Sequence, residues 1–138
     1  MRHASTMALL LLSSCAGFPV ADEEISQLSS EDLLRQINSP SARDSNYLGF
    51  DGAYREKLIR ELAKKEAWDE NTTVSVIGRK VWIGQTTRQL AASWGWPRDK
   101  TESVSRFGTH ATWYYGTYNS TTHAVNISDG IVSGWTTL

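Results

Sequence analysis

The sequence predicts an α+β domain in which two or three helices pack on one face of a four-stranded antiparallel meander sheet. Three observations predict it. Apolar residues recur at helical spacing through the first part of the chain, the part after Pro97 is rich in β-branched and aromatic residues that alternate, and the links between those later stretches are short and hold turn residues.

The N-terminus stands apart from that domain. Arg2 and His3 precede the apolar run Met7 to Leu12, and the small residues Ser13 and Ser14 lead directly to Cys15. This order reads as a signal peptide over residues 1–14. The run is too short to cross a bilayer, which takes about 20 apolar residues. From Cys15 to Leu28 there is no firm periodicity, and Pro19 with Asp22, Glu23 and Glu24 suits a solvated, flexible tether.

Residues 29–80 read as a helical segment belonging to one compact domain with residues 81–138. Ser29 with Asp32 marks a helix start, Leu28 and Leu33 can form a hydrophobic staple, and Ser39-Pro40 ends the helix. Ser41 to Phe50 reads as a loop. Asp51 is a candidate N-cap for a stronger helix with Tyr54, Leu58 and Leu62 at i, i+4 and i+8 and Ile59 beside them. Its charge run, with Glu56–Arg60 and Glu61–Lys65 spaced i,i+4, reads as a solvated face. Trp68 is expected to be packed. Asn71 to Lys80 stays open: Thr72, Thr73, Val74, Val76 and Ile77 favour a strand by composition, while the spacing also permits a short helix.

Thr86 and Gln89 form a T-x-x-Q capping box, Leu90, Ala91 and Trp94 share a helical face, and Gly95 with Pro97 supplies the stop. Glu102–Phe107, Thr112–Tyr115, His123–Ser128 and Ile131–Thr136 read as four strands. Phe107 to His110, a turn around Asn119-Ser120, and Asp129-Gly130 in a type I′ turn join them. Alternation places Trp113 and Tyr115 on one face and lets Val125 and Ile127 share a face.

Leu12-Ser13-Ser14-Cys15 resembles the lipobox of bacterial lipoprotein precursors, in which the signal is cut before a cysteine that then carries diacylglycerol. The resemblance implies lipidation at Cys15, membrane attachment through that lipid, and, because Ala16 rather than Asp follows, the outer membrane facing the periplasm. It also accounts for a single cysteine, which has no internal disulfide partner. In Val81 to Thr136, four pieces are similar to small outer-membrane lipoproteins of the SmpA/OmlA (BamE-like) type, whose fold is shared with β-lactamase inhibitor protein. They are Gly84-Gln85-Thr86 with Gln89-Leu90, Trp94-Gly95-Trp96-Pro97, Trp113-Tyr114-Tyr115, and Ile127 to Val132. Gln85 stands where that family has Met, and the charged segment from Ser29 to Glu70 has no counterpart in its short members. The resemblance therefore implies a shared module rather than a shared machine.

Composition and motifs narrow the chemistry. Lys and Arg number 14 against 15 Asp and Glu, and they interleave from Arg55 to Glu66, so no basic stripe points to nucleic acid. No P-loop, G-x-S-x-G, dinucleotide or H-E-x-x-H pattern is present, and no cofactor or metal is expected. His110 and His123 can meet only if adjacent strands bring them together. Asp99, Glu102 and Asp129 are the acids of the sheet region, too few to suggest a glycan-cleaving pair. The unusual feature is six tryptophans. Most are expected to fill the interior. Trp94 and Trp96 cannot easily both point inward, and Trp113 and Tyr114 must face opposite sides of one strand, so Trp96, Tyr114 and Tyr118 are the candidate binding residues. The expected function is a non-enzymatic, lipid-anchored module that binds or scaffolds another envelope protein. A cell-wall or glycan binding module and an enzyme with an unrecognised site are the alternatives.

Overall fold

A computed structural model describes residues 19–43, 52–117 and 119–138. Cys15, Asp51 and Tyr118 therefore lie outside the described residues. The chain forms two compact units, Met1–Ala67 and Trp68–Leu138.

The first unit is helical: α1 (Asp22–Ile25), α2 (Ser30–Ile37), α3 (Pro40–Arg43) and α4 (Ala53–Glu66). Ser29 caps α2 as its spacing predicts, its hydroxyl accepting the Asp32 N–H at 3.1 Å. The capping oxygen satisfies one of the donors that the first helical turn leaves without a carbonyl partner. Leu33, Leu34 and Ile37 form the apolar stripe of α2. They pack with α4, whose Leu58, Ile59 and Leu62 are fully buried. Two expectations change here. Gly52 holds the N-cap position of α4 and has no side chain to cap with, so α4 starts one residue after Asp51 would have placed it. Pro40 ends one helix and also starts another: Ser41 to Arg43, expected as loop, continue a turn in which proline occupies the first helical position.

The expected tether does not extend through Val20–Leu28. Ile25 and Leu28 are buried, Asp22 pairs with Lys57 at 3.0 Å, and the Ser26 carbonyl accepts from the Lys65 ammonium. The Val20 N–H donates to the Tyr54 hydroxyl, which itself donates to the Gln36 side chain. Burial raises the Tyr54 pKa, with the Val20 hydrogen bond acting the other way. Acidic composition alone concealed that this segment carries Ile25 as an anchor.

The second unit holds α5 (Glu70–Ile77), α6 (Thr87–Ser93) and a sheet of β1 (Asp99–Ser105), β2 (Gly108–Thr117), β3 (Ser120–Ser128) and β4 (Ile131–Thr137) in the meander order β1-β2-β3-β4, every pair antiparallel. The α+β class and the four-stranded meander are those the sequence predicts. The open stretch Asn71–Lys80 is helical as far as Ile77. Asp69 caps it by accepting the Thr72 N–H at 2.7 Å, and Gly78 ends it. That cap outweighs the β preference of the branched residues. The Thr86–Gln89 capping box closes in both directions, and Gly95, with φ +94°, ends α6 in the left-handed region.

Asp129 and Gly130 have φ of +50° and +79°, the pair of left-handed residues a type I′ turn requires. The link between β1 and β2 is only Arg106 and Phe107. Gly108, Thr109 and His110, expected in that turn, belong to β2. Register puts Trp113 opposite Val125, Ala111 opposite Ile127, Ile127 opposite Val132 and Tyr115 opposite His123, which defines one face. Trp113, Val125, Ile127 and Val132 are buried on it. Thr112, Tyr114, Ala124 and Asn126 lie on the other face.

The tryptophans do not serve as interior filler. Trp113 alone among the six is buried; Trp68, Trp82 and Trp94 are partly covered, and Trp96 and Trp135 are exposed. Aliphatic residues fill most of both interiors, with Tyr54 in one and Trp113 in the other.

Candidate binding cleft

The end of α6 places the two tryptophans that flank Gly95. Because Gly95 turns the chain through the left-handed region, Trp94 and Trp96 reach different parts of the same sheet face. Trp94 meets Tyr115 and His123 edge-on, with ring centroids 5.2 Å away in each case, and Trp96 leans on Trp113 at 5.9 Å. The Tyr115 hydroxyl donates to the Gly95 carbonyl at 2.9 Å and ties this turn to β2.

Trp96 is 50% exposed and forms one side of an open cleft of about 210 Å³. Ala111, Trp113 and Ile127 form an apolar floor, and Thr87, Glu102 and Thr109 bring polar groups to the rim. The Glu102 carboxylate is 3.1 Å from the Lys100 ammonium, both well exposed. A floor of this kind takes an apolar or aromatic group, while the rim offers a carboxylate and two hydroxyls to orient it.

A second hollow, of about 260 Å³, lies against Arg79, Ser93, Trp94, Tyr115 and His123. Its polar groups already serve the fold. The Trp94 ring N–H donates to the Arg79 carbonyl, the Ser93 hydroxyl donates to the Lys80 carbonyl, and His123 Nδ1 is 2.9 Å from the Thr122 hydroxyl.

The structure separates the candidate residues. Trp96 joins Trp113 on one face, and Tyr114 stands on the opposite face of β2, so those two cannot share a site. Cys15 and Tyr118 are outside the described residues. His110 pairs with Ser128 and His123 with Tyr115, on opposite faces, which removes a two-histidine metal site. Among the described residues no group of three or more His, Cys, Asp or Glu gathers. Of the acids, Asp99 lies with Tyr114 on the face opposite Glu102, and the Asp129 carboxylate accepts the Thr109 N–H of β2 and is not part of the cleft lining, so neither is a partner carboxylate for Glu102.

Sequence reading missed the exposed apolar residues around this region. Ile83, Val104 and Phe107 are 69%, 81% and 77% exposed. The signal was present in Val104 and Phe107, isolated apolar residues in an otherwise polar hairpin. Among the described residues no helix is long and apolar enough to cross a membrane. No protein-family model, curated protein or solved structure matches this chain.

Proposed function

We propose that this protein is a non-enzymatic binding module of the bacterial cell envelope, held to the membrane by a lipid on Cys15, that grips another envelope protein through the cleft beside Trp96. The observation that carries the binding role is the half-exposed Trp96 over an apolar floor, with polar groups confined to the rim. Buried aromatic anchors in desolvated pockets supply most of the energy in protein contacts, and a rim that excludes water strengthens them. The lipid anchor rests on the order of residues from Arg2 to Cys15, and two acyl signals are enough for stable attachment.

Affinity capture from cross-linked envelopes tests the reading. Trp96→Ala is expected to lose the captured partner at least tenfold while remaining folded, and Tyr114→Ala, on the opposite face, is expected to keep it. Equal capture by both variants would reject the cleft. The glycan reading is favoured by the hydroxyls of Thr87 and Thr109 beside an aromatic wall. It predicts instead that soluble wall fragments change tryptophan fluorescence in the wild type and not in Trp96→Ala. Intact-mass spectrometry of membranes tests the anchor: a chain from Cys15 to Leu138 bearing acyl groups is expected, and Cys15→Ser removes them.

A further inference from the structure

β1 is the open side of the sheet. Among the described residues it pairs only with β2, and all seven of its residues are exposed. β4, the other outer strand, is partly covered: Gly84 N–H donates to the Val132 carbonyl, Val132 N–H donates to the Gln85 carbonyl, and Thr86 bridges Ile131. A two-residue hairpin closes on a hydrogen-bonded pair, here Ser105 and Gly108, and bonding alternates from there along an antiparallel ladder. Thr101 and Ser103 therefore direct their backbone groups to β2, whereas Lys100, Glu102 and Val104 direct theirs to the open side. Lys100 displays the consequence: its N–H is taken at 2.8 Å by the carboxylate of Asp99.

We propose that this edge pairs with β1 of a second copy of the chain, antiparallel, about a two-fold axis at Thr101. Charge selects that register. Opposed residues in a ladder lie on the same face, so the axis must fall at a residue and not between two. Centred on Asp99 or on Glu102 it opposes two carboxylates, centred on Lys100 two ammonium groups, and centred on Ser103 it sets Lys100 against Arg106. Centred on Val104 it opposes no like charges but overlaps only Ser103 to Ser105 within β1; centred on Thr101 it overlaps Asp99 to Ser103, sets Lys100 opposite Glu102 twice and opposes no like charges. Asp99 then faces Ser103 and yields the Lys100 N–H to the Glu102 carbonyl of the other copy. Val104, the apolar residue of β1 and 81% exposed in one copy, then lies beside Arg98 and gains cover from its side-chain stem, and the ladder ends there because the Arg98 N–H is already given to the Tyr114 carbonyl. This pairing does not depend on what the cleft binds.

Cross-linking and charge exchange in the full-length chain test it. Thr101 meets its own copy as a non-hydrogen-bonded pair, with Cα atoms about 4.5 Å apart, a separation that a disulfide spans. In a Cys15→Ser background, Thr101→Cys is expected to form a disulfide dimer under mild oxidation, and Ser103→Cys, which faces Asp99, is not. Lys100→Glu and Glu102→Lys are each expected to sediment as monomers, because each opposes like charges. Mixed together they are expected to sediment as a heterodimer, because every opposed pair is then of opposite sign. A wild-type chain that stays monomeric up to its solubility limit overturns the proposal. So does Ser103→Cys cross-linking as well as Thr101→Cys, or a mixture of charge variants, each folded by circular dichroism, that fails to associate.

Discussion

The two units use their apolar residues differently. In the helical unit, Leu33, Leu34, Ile37, Leu58, Ile59 and Leu62 are all at most 2% exposed, and the outer surface of α4 carries paired charges such as Glu61 with Lys65. In the sheet unit a similar aliphatic interior is accompanied by a large apolar residue left in solvent at Val74, Ile83, Trp96, Val104, Phe107, Ile131, Trp135 and Leu138. Every exposed large apolar residue among those described belongs to this unit. Scattered single residues of this kind are ordinary, whereas Trp96 beside a cleft, and Val104 and Phe107 at one end of an open edge, are grouped. Among its described residues, the helical unit leaves no large apolar side chain exposed. The sheet unit leaves some exposed, and in the proposed function that remainder is the material for recognition.

Substitutions sharpen the contrast, beginning with the largest effect. Leu58→Ala removes a fully buried side chain from the helical unit and is expected to lower its stability by about 2–5 kcal/mol in urea unfolding. Trp96→Ala, although it deletes a larger side chain, removes one that is half exposed and rests on Trp113, and is expected to lower the stability of the sheet unit by about 1–2 kcal/mol while abolishing capture of the partner. If the two variants were equally destabilised, Trp96 would be a core residue and the contrast would fail.

Much of this was legible because some local signals decide structure almost unaided. Ser29, the Thr86–Gln89 box, Gly95 and Asp129-Gly130 each answer a backbone requirement within a few residues of themselves, and each does in the fold what its spacing predicts. What was not legible depended on distant partners. The docking of α1 rests on Lys57 and Tyr54, more than 30 residues away along the chain. α5 was ambiguous because five β-branched residues obscured a cap supplied by Asp69, just before the stretch in question. Of the candidates, Trp96 is exposed, Tyr114 is partly covered and Tyr118 lies outside the described residues. Grouping them needed the strand register, which assigns Trp96 and Tyr114 to opposite faces.

Gln85 carries a smaller test of the same contrast. It is fully buried in the sheet unit, its side-chain nitrogen donates to the Lys80 carbonyl at 3.2 Å, and its Oε1 has no protein partner. An acceptor buried without a donor costs free energy that an apolar side chain of similar shape avoids. The Lys80 carbonyl keeps the Ser93 hydroxyl in either case. Gln85→Met is therefore expected to leave thermal stability unchanged or raise it by up to about 2 kcal/mol. A clear loss would show that Oε1 holds a buried water the fold needs.

The smallest effect concerns pH. The Asp69 carboxyl is held below its usual pKa by the Thr72 backbone N–H and then by the Thr72 hydroxyl. Its contribution to capping α5 is in place above the ordinary value of 3.8 and is lost as pH falls through the lower folded value. Amide exchange at the start of α5 is expected to accelerate, relative to the intrinsic rate, only in that acid range. Asp69→Asn, which caps without titrating, is expected to remove the dependence.

The central claim is that recognition belongs to the sheet unit and its Trp96 cleft, with the helical unit serving as structure. Site-specific photo-cross-linking in bacterial cells expressing the protein tests this most directly, with the photoreactive residue placed at position 96 or at Lys64, an exposed position on α4. The account predicts a discrete adduct with another envelope protein from position 96 and none from position 64. Adducts of equal yield from both positions, or from position 64 alone, would contradict it.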